Sequence, residues 1–217
     1  MPIFAVAPTG KVTSEIFVVS GKMVNFYLVQ GPEGILAVDS GPSKPDARGQ
    51  LGILGIDPSQ VVAVFLTHSD YDHTGGLALF PQARLYLGQG EEPLVTGKVR
   101  RMFGRFNKPP DRPYSLLADG QTVKEAGLTV QAIATPGHTP GSTSYRVNEK
   151  WLFTGDTVRL AKGHVIPFIG FINMNTRIQV QSIRKLAQLD GIELLCTAHH
   201  GVSHDFVQAM QAWRAAS

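Results

Sequence analysis

The apolar run Val61-Val62-Ala63-Val64-Phe65-Leu66 leads directly into His68-Ser69-Asp70-Tyr71-Asp72-His73, a hexapeptide with four metal-competent side chains. A run this short, rich in β-branched and aromatic residues, reads as a strand. A strand that stops in such a cluster delivers its side chains to one point at the rim of a sheet. The arrangement recurs three times: Leu128–Ala134 ends just before His138, Trp151–Phe153 runs into Asp156, and Glu193–Thr197 runs into His199 and His200. Each candidate ligand therefore lies just past the C-terminal end of a strand. Strands in packed sheets can bring such ends to one edge, where loops hold a site on a rigid scaffold. Pro136-Gly137 and Pro140-Gly141 bracket His138, and Gly75-Gly76 follows His73, so the backbone can bend tightly there.

The remaining strand signals are Glu15–Val19, Asn25–Gln30, Ile35–Val38, Arg84–Leu87 and Ser142–Val147, all short and bounded by turn-forming residues. Asn175 is placed to cap a helix over Thr176–Leu189. Phe206, Met210 and Trp213 give the i, i+4, i+7 stripe of a C-terminal helix. Pro42–Leu54 and Thr74–Phe80 each read as one short helix. No linker or low-complexity block divides the 217 residues, which read as a single domain over 1–217. With 43% hydrophobic and 17% charged residues, the chain falls among globular proteins. No apolar run approaches the roughly 20 residues that span a bilayer, so no membrane partner is expected. The N-terminus lacks the pattern of a secretion signal and Cys196 is alone, which together point to the cytoplasm. A net charge of +3 is too mild to suggest a nucleic-acid partner; a small-molecule substrate is expected instead.

Taken together, Thr67-His68-Ser69-Asp70-Tyr71-Asp72-His73-Thr74-Gly75-Gly76 resembles the signature loop of the metallo-β-lactamase-fold hydrolases. Pro136-Gly137-His138-Thr139-Pro140-Gly141-Ser142, Phe153-Thr154-Gly155-Asp156 and His200-Gly201 resemble that family's later motifs in the same order. Asn25–Val29 and Leu36–Gly41 resemble its opening strands. The resemblance implies an α/β fold, a four-layer αββα sandwich with the metal site at the edge between two sheets. It also implies two divalent ions, zinc first, with iron or manganese as alternatives. His68 and His138, joined by Asp70, resemble the ligands of the first ion. Asp72, His73 and His200 resemble those of the second, and Asp156 resembles the bridging carboxylate. Of the adjacent pair His199 and His200, the one preceding Gly201 fits the pattern, which leaves His199 to packing or to a supporting contact behind the ligands. The reaction implied is attack of a metal-bridging hydroxide on an ester, thioester or lactone. Asp72 is also placed as the catalytic group that relays a proton to the leaving group.

Position 70 departs from the family, where it is usually His. Aspartate can still ligate a divalent ion, but it makes the metal core one unit less positive and favours harder ions. Two other readings stay open: an iron-dependent oxidoreductase acting on oxygen or sulfur species, and a low-activity metal-binding sensor on the same fold. For substrate contact, the candidates are Arg159, three residues beyond Asp156, and His164 in the loop that follows. The segment 91–114 carries Lys98, Arg100, Arg101, Arg105 and Lys108, interleaved with Phe103 and Phe106. It reads either as a lid that attracts an anionic substrate or as a solvated basic face.

Overall fold

Period-2 alternation sorts the first half of the chain between two apolar layers. In the computed structural model, which describes residues 4–101 and 104–214, Tyr27 and Val29 of strand β3 (Asn25–Gly31) enter one core cluster. Phe26 and Leu28 of the same strand enter another. Strand β5 (Val61–Leu66) repeats the pattern, with Ala63 and Phe65 on one side and Val64 and Leu66 on the other. A sheet buried on both faces must be covered twice, which gives a layered fold.

The first sheet has seven strands in chain order: β1 (Gly10–Lys11), β2 (Ile16–Ser20), β3, β4 (Gly34–Val38), β5, β6 (Arg84–Gly88) and β7 (Ser115–Leu117). Pairing is antiparallel through β4 and parallel from β4 to β7. The second sheet, in spatial order, consists of β15 (Val202–Ser203), β14 (Leu194–Cys196), β11 (Trp151–Phe153), β10 (Thr143–Val147), β9 (Leu128–Ala134) and β8 (Thr122–Glu125). A separate hairpin joins β12 (Val158–Ala161) to β13 (His164–Pro167).

Three apolar clusters separate four layers. Phe65, Tyr27, Tyr145, Trp151 and Phe153 pack between the two sheets. The outer face of the first sheet closes on Ala47 and Leu51 of helix α1 (Lys44–Leu54). Two single-turn helices follow in chain order, α2 (Tyr71–Thr74) and α3 (Glu92–Val95). The outer face of the second sheet closes on Ile183, Leu186 and Ala187 of helix α4 (Thr176–Ala187), and on Phe206 and Met210. The expected αββα sandwich is the observed fold.

Asn175 caps α4 as its sequence position suggests, its side-chain oxygen accepting from the Ile178 amide at 3.1 Å. The C-terminal stripe is not one helix. It breaks at Met210 into α5 (Phe206–Ala209) and α6 (Gln211–Arg214), and Trp213 Nε1 donates to the Val165 carbonyl at 2.9 Å. Residues 74–80 hold only the end of α2 and a short 3₁₀ turn over Leu77–Leu79. Among the described residues, no helix is long and apolar enough to cross a membrane.

Candidate metal centre

β9 and β11 are each antiparallel to β10, and β14 runs parallel to β11, so β9, β11 and β14 all end at the same edge of the second sheet. His138 follows β9, Asp156 follows β11 and His199 follows β14. From the facing sheet, β5 ends one residue before Thr67 hands on to His68, and the single turn of α2 carries Asp72 and His73. Two close approaches make the junction possible. Gly155 adopts φ +51°, and a Cβ there would lie 2.4 Å from Thr67 Oγ1; a Cβ on Gly141 would lie 1.8 Å from the Glu91 amide nitrogen. Neither position has room for a side chain.

Donor atoms gather into three overlapping groups, each with its atoms within 4.8 Å of one another. They are His68, Asp70 and His138; Asp72, His73 and His199; and His68, His73 and Asp156. The Asp156 carboxylate faces both halves. Its Oδ1 lies 3.1 Å from His199 Nε2 and 3.5 Å from His73 Nε2, and its Oδ2 lies 3.4 Å from His138 Nε2.

The histidine rings are held from behind, which sets their tautomers. His73 Nδ1 donates to Asp39 Oδ2 at 2.8 Å. Thr67 Oγ1 donates to the same carboxylate at 2.9 Å and accepts from His68 Nδ1 at 3.0 Å. His138 Nδ1 donates to Asn173 Oδ1 at 3.1 Å, and His199 Nδ1 donates to the Met23 carbonyl. With every Nδ1 proton spent on an acceptor, each Nε2 turns a lone pair into the site. Asp39 sits at φ +64°, a left-handed conformation rare outside glycine, and accepts from the Thr67 amide at 2.8 Å as well.

The donor set fits a cation. His68 Nε2, His73 Nε2 and Asp156 Oδ1 are buried without a hydrogen-bond partner among the described residues. Leaving such atoms uncompensated is costly. The charge balance agrees. Burial opposes charging of His73, yet Asp39, Asp72 and Asp156 hold its pKa well above the ordinary imidazole value. Burial likewise works against His199, and Asp156 raises it. Burial would raise the Asp156 carboxyl, but His199, His73 and His138 hold it well below the usual range. The site calls for positive charge, carried by a proton or by a metal ion.

The family model for the metallo-beta-lactamase superfamily matches residues 19–199. The chain belongs to that superfamily. Among curated relatives, it is 28% identical to the acyl-coenzyme A thioesterase MBLAC2 of Gallus gallus, over 85% of this chain and 75% of the relative. Among solved structures, it resembles the Rm3 metallo-beta-lactamase at TM-score 0.75 and 22% identity, covering 99% of this chain and 92% of the other. It also resembles a metallo-beta-lactamase family protein of Thermus thermophilus at TM-score 0.70 and 24% identity, covering 95% and 80%. Membership in this superfamily and these relatives make the protein a metal-dependent hydrolase.

Within this superfamily member, the structure brings together His68, Asp70, Asp72, His73, His138 and Asp156, as the sequence suggests, and departs from it at three points. The first is the choice of His199 over His200. The His199 ring enters the cluster, packed on Phe4 at 4.5 Å and Phe168 at 5.2 Å. The His200 ring meets the edge of Phe4 at 6.4 Å, and its amide donates to Thr197 Oγ1 at 3.2 Å. The donor cluster thus takes in His199, where the sequence suggests His200.

Substrate contacts are the second departure. A cavity of about 440 Å³ opens over the cluster. Neither Arg159 nor His164 lines it, because the segment read as a loop is the β12–β13 hairpin, where Arg159 Nε donates to the Pro167 carbonyl and His164 is exposed. Its cationic wall is Arg101, Arg105 and Lys108, and its apolar wall includes Phe4, Phe106 and Phe168. The basic segment thus faces the site; Phe103, which the sequence interleaves with these charges, lies outside the described residues.

The third concerns residues that no motif singles out. Glu91 is fully buried and accepts from the Ser69 amide, Ser69 Oγ, Thr139 Oγ1 and the Gly141 amide. Arg101 grips Asp70, and Asn107 Nδ2 donates to Asp70 Oδ1 at 3.1 Å. An acidic residue at the start of a basic segment, as Glu91 is, was the available signal for one of them.

Proposed function

We propose that this chain is a dinuclear metal-dependent hydrolase that cleaves a thioester, ester or lactone bond in a small anionic substrate. The observation that carries the reading is the set of Nε2 lone pairs, each fixed by a hydrogen bond at Nδ1, converging on the two faces of the Asp156 carboxylate. His68, Asp70 and His138 would hold one ion, Asp72, His73 and His199 the other, and Asp156 would lie between them. When bound, such ions lower the pKa of water from about 15.7 toward about 7, supplying a bridging hydroxide, and polarise the scissile carbonyl.

The chain's own residues supply the rest. Asp72, 35% exposed and on the cavity wall, would turn Oδ2 to the ion beside His73 and His199 and take a proton on its other oxygen to pass to the leaving group. Arg105 and Lys108 draw an anionic group to the rim. Phe4, Phe168 and Ile172 offer an apolar wall that displaces water from an acyl chain. The likeness to an acyl-coenzyme A thioesterase of Gallus gallus supports taking thioesters first among the candidates. Zinc is the first choice of ion, and the lone Cys196, buried between the sheets, fits a cytoplasmic location. The carboxylate at position 70, which raised the oxidoreductase reading, is turned toward Arg101 and gives that reading no further support.

The test is a panel of acyl thioesters, esters, lactones and phosphodiesters offered to zinc-loaded protein, with Asp156→Ala beside it. Hydrolysis of an acyl substrate that disappears in the variant supports the reading. Turnover of none of these, or turnover that survives Asp156→Ala, overturns it.

A further inference from the structure

Arg101 comes from the basic segment rather than from any strand end, yet its guanidinium lies among the donors of the first ion. Nε donates to Asp70 Oδ1 at 2.9 Å, and Nη2 donates to Asp70 Oδ2 at 2.7 Å. The same Nη2 lies 2.9 Å from His138 Nε2. That nitrogen has one lone pair, because His138 Nδ1 is committed to Asn173. A lone pair that accepts from a guanidinium cannot ligate a metal ion at the same time, and guanidinium, with donors only, cannot itself be a ligand. Both Asp70 oxygens are likewise engaged, one of them also by Asn107. The fork is held in a mostly buried place, with the Arg101 side chain 9% exposed. Such bidentate pairs are among the stronger polar contacts.

We infer that Arg101 competes with the first ion for its donor atoms, so that the two metal positions fill with very different affinities. The second position, at Asp72, His73 and His199, has no such competitor among the described residues: Asp72 forms ion pairs with His73 and His199 and with no arginine or lysine. It therefore loads first and tightly. The first position loads only as Arg101 gives up Asp70 and His138. Arg101 Nη1 is also buried, with no hydrogen-bond partner among the described residues. This inference rests on the reading of the cluster as a metal centre and concerns only how its two positions share the charge.

The experiment is titration of the metal-free full chain with zinc against a chromophoric chelator, and with cobalt(II) followed by its visible spectrum. Wild type, Arg101→Ala and Arg101→Gln are compared, with circular dichroism as the check on folding; the Gln variant keeps the stem if the Ala variant is unstable. Wild type is expected to bind one equivalent tightly and a second weakly. In both variants, the second equivalent tightens at least about tenfold, as expected when a charge-assisted competitor is removed. Two equally tight equivalents in wild type would overturn the inference while leaving the metal-centre reading intact, as would a weak second equivalent unchanged in both variants. No tight binding in any of the three would overturn the metal-centre reading itself, and the inference with it.

Discussion

Glu91 joins Ser69 to Thr139: one carboxylate oxygen accepts from Ser69 Oγ at 2.6 Å and the other from Thr139 Oγ1 at 2.6 Å. Ser69 follows His68 and Thr139 follows His138, so a single buried carboxylate sets the spacing of two ligand loops that come from different sheets. Removing it leaves the Ser69 amide, Ser69 Oγ and the Gly141 amide without this acceptor, and Thr139 Oγ1 with only Ser142 Oγ. Glu91→Ala is expected to lower unfolding free energy by about 3 kcal/mol or more. Urea denaturation of the metal-free protein measures this directly; a change below about 1 kcal/mol would refute the assigned role.

Asp39 fixes His73 and, through Thr67, His68, so it governs two rings that the proposed assignment gives to different ions. Replacing such a partner of metal-bound histidines costs on the order of 10- to 100-fold in metal affinity. Asp39→Ala should show that loss for zinc in a chelator competition. Affinity equal to wild type in a folded variant would show that the rings need no such support.

His199 and His200 make a matched pair of variants. His199→Ala should lose one ligand and with it the tight zinc equivalent, with hydrolysis falling in proportion. His200→Ala should retain zinc and most activity. The reverse result would return the ligand role to His200.

Three tyrosines report on the core at alkaline pH. Burial pushes the Tyr27 and Tyr145 phenols well above their usual value, and burial with the Glu125 hydrogen bond pushes Tyr86 up to about 12. A group whose pKa is raised by folding stabilises the native state fully below its unfolded value, near about 10. That contribution is lost as pH rises through the folded values. Stability is thus expected to fall between about pH 10 and pH 12. Tyrosinate absorbance of the folded protein should stay short of the full set of five tyrosines until the protein unfolds. Titration of all five near pH 10 with the circular dichroism signal intact would contradict the burial of these rings.

Strand ends and the donor side chains that follow them were legible because both signals are local. Val61–Leu66, Leu128–Ala134 and Trp151–Phe153 appear with the boundaries that their composition suggests, and each hands on to its ligand loop. What the sequence left open depends on the third dimension. Arg159 lies three residues from Asp156 along the chain, but pairing of β12 with β13 carries it off the cavity; Arg101, 31 residues from Asp70, lands on it. Asp39 and Glu91 bear charges that no periodicity marks as buried, and only the meeting of two sheets gives them partners. Choosing between His199 and His200 turns on a single step of backbone, which a motif ending in Gly201 cannot resolve. The C-terminal stripe kept its buried face at Phe206 and Met210 but lost its continuity, since spacing predicts a face and not an unbroken axis.

The donor groups straddle the seam between the two sheets: Asp72 and His73 stand on one side, His138, Asp156 and His199 on the other. An ion held across that seam would act as a rivet, and its grip would become a gauge of how the halves are seated. Tyr145, whose hydroxyl reaches from the second sheet to the Leu66 carbonyl of the first at 2.8 Å, is not one of the clustered donors. Trimming it should nevertheless loosen zinc, because the separation of the two plates is the distance the rivet must span.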